Sequence, residues 1–281
     1  MTCGRRIKEP AQNWGCPRRP LREMVFSMGF KVYSTTSTRR FMSELVQASA
    51  YGYIGRVPHY NSLLNAFQSP DLTPLLHALI RESSLCLKSV EVDFAADSSG
   101  FSPSRYVRWA DARSGEEQEC HDWIKVHLMC GVKTNIVTSV EITGGSANDS
   151  PQLRLLAQTT AQNFHLREVE ADKAYSSKAN LELVTALGGT PYIPFKAGTT
   201  GDPRGSVLWE KLWRVYQYHR EDFLTHYHKR SNVESTMWMI KSKFGERIRS
   251  KTDAAMVNEL LCKVLCHNIC VVIQSIYETF N

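Results

Sequence analysis

The sequence predicts a mixed α/β fold with a small helical N-terminal region. Three observations support this prediction. Residues 21–81 have a helical pattern of apolar residues, residues 90–143 alternate as strands do, and helical and strand patterns take turns after residue 150. With 281 residues and 42% hydrophobic content, the chain is long enough to bury a full α/β core.

The N-terminal region is expected to contain four helices, separated by breaks that contain Gly or Pro. We place them at residues 21–32, 38–50, 61–67 and 75–81. Residues 1–88 would then be a basic, mostly helical region, either a truncated DNA-binding domain or a packing domain. No base-reading element can be recognised in it.

The remaining chain, residues 89–281, is expected to form the sheet. Strands are predicted at 90–96, 106–112, 123–130 and 136–143, then a helix at 150–162, a strand just before Asp172, a helix at 178–187 and a strand at 191–195. Three antiparallel-type strands followed by alternating β and α elements match the order of a ribonuclease-H-like core.

A loop and helix are inserted at about residues 196–221. The helix, expected at 207–220, interleaves four aromatic residues with cations: Trp209, Trp213, Tyr216 and Tyr218. Such aromatics can stack on unpaired bases. They are also ordinary helix-packing residues, and we favour packing in the core.

Two predicted strands end at an aspartate. The first strand ends at Asp97, which is followed by Ser-Ser-Gly. The second ends at Asp172, and a helix is expected to start after it, near Ser176 or Ser177. Asp93 shares a strand face with Asp97 and is the second choice for the first acid, because it lies within the strand. The alternatives are that Asp97 only caps a turn and that Asp172 is a solvated strand-end residue.

Near the C-terminal end, Tyr227, Arg230, Glu234 and Lys241 fall on one helical stripe at about 3.6 residues per turn. Trp238 falls on the same stripe. A carboxylate flanked by a phenol and two cations suits a site that handles phosphate and metal together. The alternative is an ordinary Arg230–Glu234 helix pair, worth only about 0.2–0.5 kcal/mol.

This spacing, Y-(2)-R-(3)-E-(6)-K, resembles the signature of the DDE transposases of bacterial insertion sequences. The residues around Asp97 and Asp172 resemble that family's D-S-T-G-F and D-K-x-Y blocks. The resemblance implies a DNA transposase that cuts DNA at the ends of its element and joins the freed 3′-hydroxyl to target DNA.

The resemblance also implies the roles of individual residues. Asp97, Asp172 and Glu234 would be the catalytic acids and would hold two Mg²⁺ ions, with Mn²⁺ able to substitute. The residues expected to contact DNA or its phosphates are Tyr227, Arg230, Lys241, Lys173 and Trp238. His226 and His228 are expected to contact phosphate or solvent.

The charge of the chain favours a polyanionic partner. The net charge is +6, and it is concentrated in residues 1–40, with a net +7, and in residues 211–251, with a net +6. By the resemblance, the partners are double-stranded DNA, as element terminal inverted repeats and as target DNA, and a second copy of the chain in a homodimer. Two alternatives remain: a truncated, inactive DNA-binding relic or repressor, and a nuclease that cuts without joining.

The cysteines and the last helix bear on localisation. None of the eight cysteines forms a C-x-x-C pair and no signal peptide is recognised, so a reducing bacterial cytoplasm, at the nucleoid, is expected. Cys262, Cys266 and Cys270, with His267, are interpreted as residues of a buried apolar helix and not as zinc ligands. That helix, at about 254–277, carries too many polar residues to span a membrane.

Overall fold

The structure is a computed structural model that describes residues 19–103, 123–202 and 205–280. Its contacts divide the chain into two units, each built from separate stretches of sequence. The first contains the described residues of Met1–Ser83, Ser102–Asp122 and Ile240–His267. The second contains those of Ser84–Phe101, Trp123–Met239 and Asn268–Asn281. The functional boundary near residue 88 stays a prediction.

Four helices open the described chain, as the sequence predicts. They are α1 (Leu21–Ser34), α2 (Thr38–Ala50), α3 (Tyr60–Gln68) and α4 (Leu72–Ser84). Helix α4 begins three residues earlier than expected and has Pro74 in its first turn. Proline is tolerated there because backbone N–H groups in the first turn make no hydrogen bond within the helix. Phe41, Leu45 and Leu63 are fully buried in the core of this region.

The central sheet has the ribonuclease-H-like arrangement that the order of elements predicts. Its strands are β1 (Asp93–Pro103), β2 (Ile124–Gly131), β3 (Val137–Gly144), β4 (Glu168–Ala171) and β5 (Thr190–Tyr192), in the spatial order β3-β2-β1-β4-β5. Strands β1 to β3 pair in antiparallel fashion, and β4 pairs parallel to both β1 and β5. A short strand, β6 (Arg247–Ile248), pairs with Ser102 and Pro103 at the end of β1.

Strand β1 continues past Asp97, so the prediction that Asp97 ends a strand is wrong. Ser98 pairs with His127 and Gly100 pairs with Lys125 on β2. The ring of Trp123 lies against Gly100, where an added Cβ would come within 2.8 Å of it. The Ser-Ser-Gly segment therefore provides room for an aromatic ring and does not break the strand. The strand predicted at 106–112 lies outside the described residues.

Helices of the second unit cover the sheet. They are α5 (Gln152–Ala161), α6 (Lys178–Ala186), α7 (Val207–Tyr218) and α8 (Arg220–Tyr227), followed by α9 (Ser231–Phe244), whose last residues belong to the first unit. Trp209, Trp213 and Tyr216 of α7 pack against the buried core of the sheet, which confirms the packing interpretation for these three. Tyr218 is 76% exposed.

The last helix, α10 (Asp253–Phe280), is long and apolar enough to cross a membrane by length and composition. However, 78% of its apolar window is buried within the protein, as in the core helix of a soluble protein. Cys262 and Cys266 are buried on it, and all five described cysteines are free thiols. Among the described residues, no three His, Cys, Asp or Glu side chains are grouped closely enough to hold a metal ion, so the zinc interpretation gains no support.

Candidate active site

Acidic side chains lie in two neighbouring rows on strands β1 and β4. Side chains two residues apart share one face of a strand, so Asp93 and Asp97 point to the same side of β1. In the parallel pairing, Asp93 is opposite Glu168. Glu170 follows on the same face of β4, and Asp172 comes directly after the strand. Sheet register therefore brings the two rows side by side.

Arg230 joins two of the predicted catalytic acids. Its Nη1 donates to Oδ2 of Asp97 at 2.8 Å, and its Nη2 donates to Oε1 of Glu234 in a short ion pair. The Arg230 side chain is only 18% exposed, whereas that of Glu234 is 54% exposed. The Arg230–Glu234 ion pair is thus more than a surface helix pair, because Arg230 also binds Asp97 of strand β1.

Asp172 lies in the same electrostatic environment. Burial raises the pKa of Asp97, and the negative charges of Asp172 and Glu234 add to this effect, while the Ser98 N–H and Arg230 oppose it. Asp172 also accepts a hydrogen bond from the N–H of Lys173 at 2.6 Å and so caps a 3-10 turn at Lys173–Tyr175. Asp172 and Glu234 are therefore close enough to Asp97 for their charges to raise its pKa.

The helical stripe differs from its prediction. Helix α8 ends at Tyr227, a 3-10 turn follows at His228–Arg230, and α9 begins at Ser231. The prediction of one continuous helical stripe is therefore wrong, although Arg230 and Glu234 still form an ion pair. The Arg230 guanidinium lies 5.9 Å from the centre of the half-buried Tyr227 ring. Burial raises the pKa of Tyr227, so its phenol keeps its proton at neutral pH.

The structure places the other three residues predicted to contact DNA, Lys173, Trp238 and Lys241, on two elements. Lys173 is exposed, next to Asp172. Trp238 is 69% exposed on α9. Lys241 lies in the last turn of that helix, seven residues after Glu234. Exposure of Lys173 and Trp238 leaves both side chains accessible to a large ligand.

Lys229 was not predicted from sequence, although it stands beside Arg230. Its ammonium contacts Oδ2 of Asp93 at 3.0 Å and Oε2 of Glu168 at 2.6 Å. Arg167 donates to both oxygens of Asp93, at 2.7 and 2.6 Å. Burial would raise the pKa of Asp93, but the hydrogen bonds from Arg167 and Lys229 lower it. Asp93, the second choice for the first catalytic acid, thus forms ion pairs with both Arg167 and Lys229. The Lys229 pair links the 3-10 turn to strand β1.

His226 belongs to the same network. Its Nδ1 lies 2.8 Å from Oε2 of Glu168, and its ring stacks on Tyr192 with 4.4 Å between ring centres. The His226 ring is held by a carboxylate and an aromatic ring but stays 30% exposed, so its contact with phosphate or solvent stays a prediction. His228, by contrast, is exposed.

Asp149 is a second residue that sequence reasoning missed. Its Oδ1 accepts hydrogen bonds from Ser98, the neighbour of Asp97, and from Lys125, both at 3.0 Å. It also lies 3.6 Å from Nδ1 of the buried His127. Asp149, Lys125 and Lys196 line a pocket of about 580 Å³. A lone Asp in a loop gives no signal, but Lys125 and His127 alternate on β2 and could have indicated a polar face.

Glu170 lies between the two groups of charges. Its side chain is fully buried, and neither carboxylate oxygen has a hydrogen-bond partner among the described residues. Burial raises its pKa to about 8. A carboxyl in this state keeps its proton near neutral pH, so Glu170 adds little negative charge to the rows of acids.

The donor set of the site fits a divalent metal. Three carboxylates are hard oxygen ligands of the kind that Mg²⁺ prefers, and the Arg230 guanidinium marks a place where Asp97 and Glu234 already share a positive charge. As they stand, residues 19–103, 123–202 and 205–280 contain no ready cluster of three metal-binding side chains.

The fold is a ribonuclease-H-like sheet with acids on β1, directly after β4 and on a following helix. The family model for the transposase DDE domain matches residues 88–269, well over half of the chain. The chain therefore belongs to the transposase DDE domain family. It is a transposase-type protein that acts on DNA, and enzymes of this family generally use divalent metal ions. No curated protein matches the chain.

Proposed function

We propose that this protein is a DNA transposase that cuts DNA at the ends of an insertion sequence and joins the freed 3′-hydroxyl to target DNA. The observation that carries the proposal is the Arg230 bridge between Asp97 and Glu234, with Asp172 close enough to raise the pKa of Asp97. Two of the acids meet at Arg230 and the third acts on Asp97 through its charge, in a chain that belongs to the transposase DDE domain family.

Asp97, Asp172 and Glu234 are the proposed catalytic acids and metal ligands. Two Mg²⁺ ions, or Mn²⁺ in their place, would neutralise the scissile phosphate, activate the attacking oxygen and stabilise the leaving oxygen. The acids approach this place from separate elements, so neither the sheet nor the helix could supply the ligand set alone. Because Arg230 binds both Asp97 and Glu234, its positive charge offsets part of the repulsion between the two carboxylates.

Residues around the acids are proposed to hold the DNA. Arg230 has a fork of donors suited to a phosphate, and Lys173 and Lys241 are point charges that can bind the DNA backbone. Tyr227 keeps its proton and so can donate to a phosphate oxygen. Trp238, 69% exposed on the same helix as Glu234, offers a flat apolar surface to a base.

The partners follow from the same reaction. Double-stranded DNA is bound at the element's terminal inverted repeats and at the target, and a homodimer would hold both ends at once. The net charge of +6 favours this polyanion. We place the protein in the bacterial cytoplasm, associated with the nucleoid.

The test is Mg²⁺- or Mn²⁺-dependent cleavage of DNA spanning the ends of the element that encodes this chain. Wild type is compared with Asp97→Asn, Asp172→Asn and Glu234→Gln, and with Asp222→Asn as a control, because Asp222 is 77% exposed. We expect loss of cleavage in the three variants and full activity in the control. Strand-transfer products would exclude a nuclease that only cuts. DNA binding by wild type without any cleavage would instead support an inactive repressor.

A further inference from the structure

A small cavity in the first unit is lined by an excess of positive charge. Its volume is about 100 Å³. Four cations line it, Lys31, Arg247, Arg249 and Lys263, against the single carboxylate of Glu259. The lining therefore carries three positive charges more than negative ones.

Glu259 offsets one of these four positive charges, and its oxygens also accept hydrogen bonds from backbone groups. The N–H of Arg249 lies 3.1 Å from both Oε1 and Oε2, and the N–H of Ser250 lies 2.8 Å from Oε2. The carboxylate thus fixes the chain after β6 and shapes the wall of the cavity.

Lys31 makes the excess charge costly. Its side chain is only 8% exposed, and no described residue accepts a hydrogen bond from its ammonium or pairs with it within 4 Å. Burial, followed by repulsion from Arg249, lowers its pKa. The charges of Glu259 and Glu44 act in the opposite direction. A buried cation next to further cations is costly, so a negatively charged ligand in the cavity would stabilise it.

Two of the other cations, Lys263 and Arg249, are fixed by hydrogen bonds to backbone carbonyl groups. Lys263 is 2% exposed and donates to the carbonyl oxygens of Gly245 at 2.7 Å and Arg247 at 2.8 Å, so its ammonium is held at the cavity wall. Arg249 is anchored through Nη1 to the carbonyl of Thr36 at 2.7 Å. Arg247 and Arg249 are exposed and line the same cavity as the buried lysines.

We propose that this cavity is an anion site that binds a phosphate group. Two ammonium groups and two guanidinium groups match the several oxygens and the double charge of a phosphate better than they match a halide. We favour a phosphate of the DNA backbone as the source, and this part rests on the proposed function. A free phosphate compound would use the same groups.

The test begins with inorganic phosphate, titrated by calorimetry into the full chain in a phosphate-free chloride buffer without divalent metal. Lys31→Met should weaken phosphate binding at least tenfold, and Arg247→Gln, which changes an exposed side chain and should not disturb folding, should weaken it several-fold. Lys211→Met, an exposed change of equal charge on α7, should leave it unchanged. Equal binding by wild type, Lys31→Met and Arg247→Gln, or none by wild type, would overturn the site.

The source is decided by duplex DNA binding at several salt concentrations, again without divalent metal, so that the result does not depend on cleavage. If a DNA phosphate enters the cavity, the slope of log affinity against log salt should become shallower by about one in Lys31→Met. Loss of phosphate binding with an unchanged slope would keep the anion site and overturn the DNA backbone as its source.

Discussion

At the scale of single residues, Arg230 explains how acids of like charge can lie together before any substrate is bound. Its pairing with Glu234 alone would be a helix pair of small value. Its second contact, to the partly buried Asp97, links the helix to the sheet. Burial of Asp97 makes this contact the more important of the two, since an unpaired buried carboxylate is costly.

Arg230→Gln should lower the free energy of unfolding by about 1–3 kcal/mol in metal-free buffer, because Asp97 loses its charged partner. Mg²⁺ should then raise the melting temperature of this variant more than that of wild type, because the cation replaces the lost positive charge. Thermal unfolding with and without Mg²⁺ measures both effects. Arg214→Gln, which removes an exposed helix pair with Glu210, is the matched control and should change stability by less than about 0.5 kcal/mol. Identical behaviour of the two variants would contradict this role.

Lys263 should make stability depend on pH. Burial lowers its pKa to about 8 from an ordinary value of 10.5. Between these values the unfolded chain binds more protons than the folded one, so the Lys263 contribution to stability rises with pH from about 8 to 10.5 and is constant below 8. The difference in unfolding free energy between wild type and Lys263→Met should therefore move in favour of wild type over this range, in phosphate-free buffer. Parallel pH profiles in chemical denaturation would contradict the shift.

At the scale of elements, the 3-10 turn at His228–Arg230 positions the site. Lys229 fastens it to β1 and β4, and Arg230 reaches Asp97 from the next position. Asp93 and Asp97 are four residues apart on one strand face, so two consecutive cations of the turn can each contact one of them.

Lys229→Met should destabilise the protein by about 2 kcal/mol, because Asp93 and Glu168 keep their other partners but lose a shared cation. It should also slow cleavage, since the turn that carries Arg230 is less well held, while the metal requirement stays. Denaturant unfolding and cleavage rates give the two values, with Lys211→Met as a control of equal charge. A variant that is less stable but cuts at the wild-type rate would contradict the positioning role.

Helix α7 should act as a core element. Trp213 packs against the sheet core and lies over Gly201, where an added Cβ would come within 2.5 Å of its ring. Trp213→Ala should cost about 3 kcal/mol of stability. Tyr218→Ala, on the same helix but 76% exposed, should cost less than about 0.5 kcal/mol. Weaker DNA binding by Trp213→Ala at unchanged stability would show instead that the ring contacts bases.

The elements differ in how far sequence could predict them. Helix α2 matches its predicted bounds, and sheet order follows from the alternation of patterns. The break between α8 and α9 could not be predicted, because the residues of the turn include neither Gly nor Pro and the turn is held by contacts distant in sequence. Likewise, Asp97 lies within a strand because β2 pairs beyond it and Trp123 covers Gly100, neither of which local propensity reveals.

At the scale of the whole molecule, the two units hold different groups of charged side chains. The second unit holds the acids and Arg230, and the first holds the four cations around Glu259. The three acids could be predicted from sequence because Glu234 stands in a recognisable spacing, and Asp97 and Asp172 follow apolar strand patterns. The network of Lys229 and the cation-lined cavity could not, because their members are brought together only by the fold.

The central claim is that Asp97, Asp172 and Glu234 together hold metal ions. The most direct measurement counts Mn²⁺ bound to the full chain on a duplex that carries the element end, by electron paramagnetic resonance. Wild type and Asp222→Asn should bind two ions per chain, and Glu234→Gln, Asp97→Asn and Asp172→Asn should each bind fewer. Equal Mn²⁺ binding by wild type and all three variants would contradict the account.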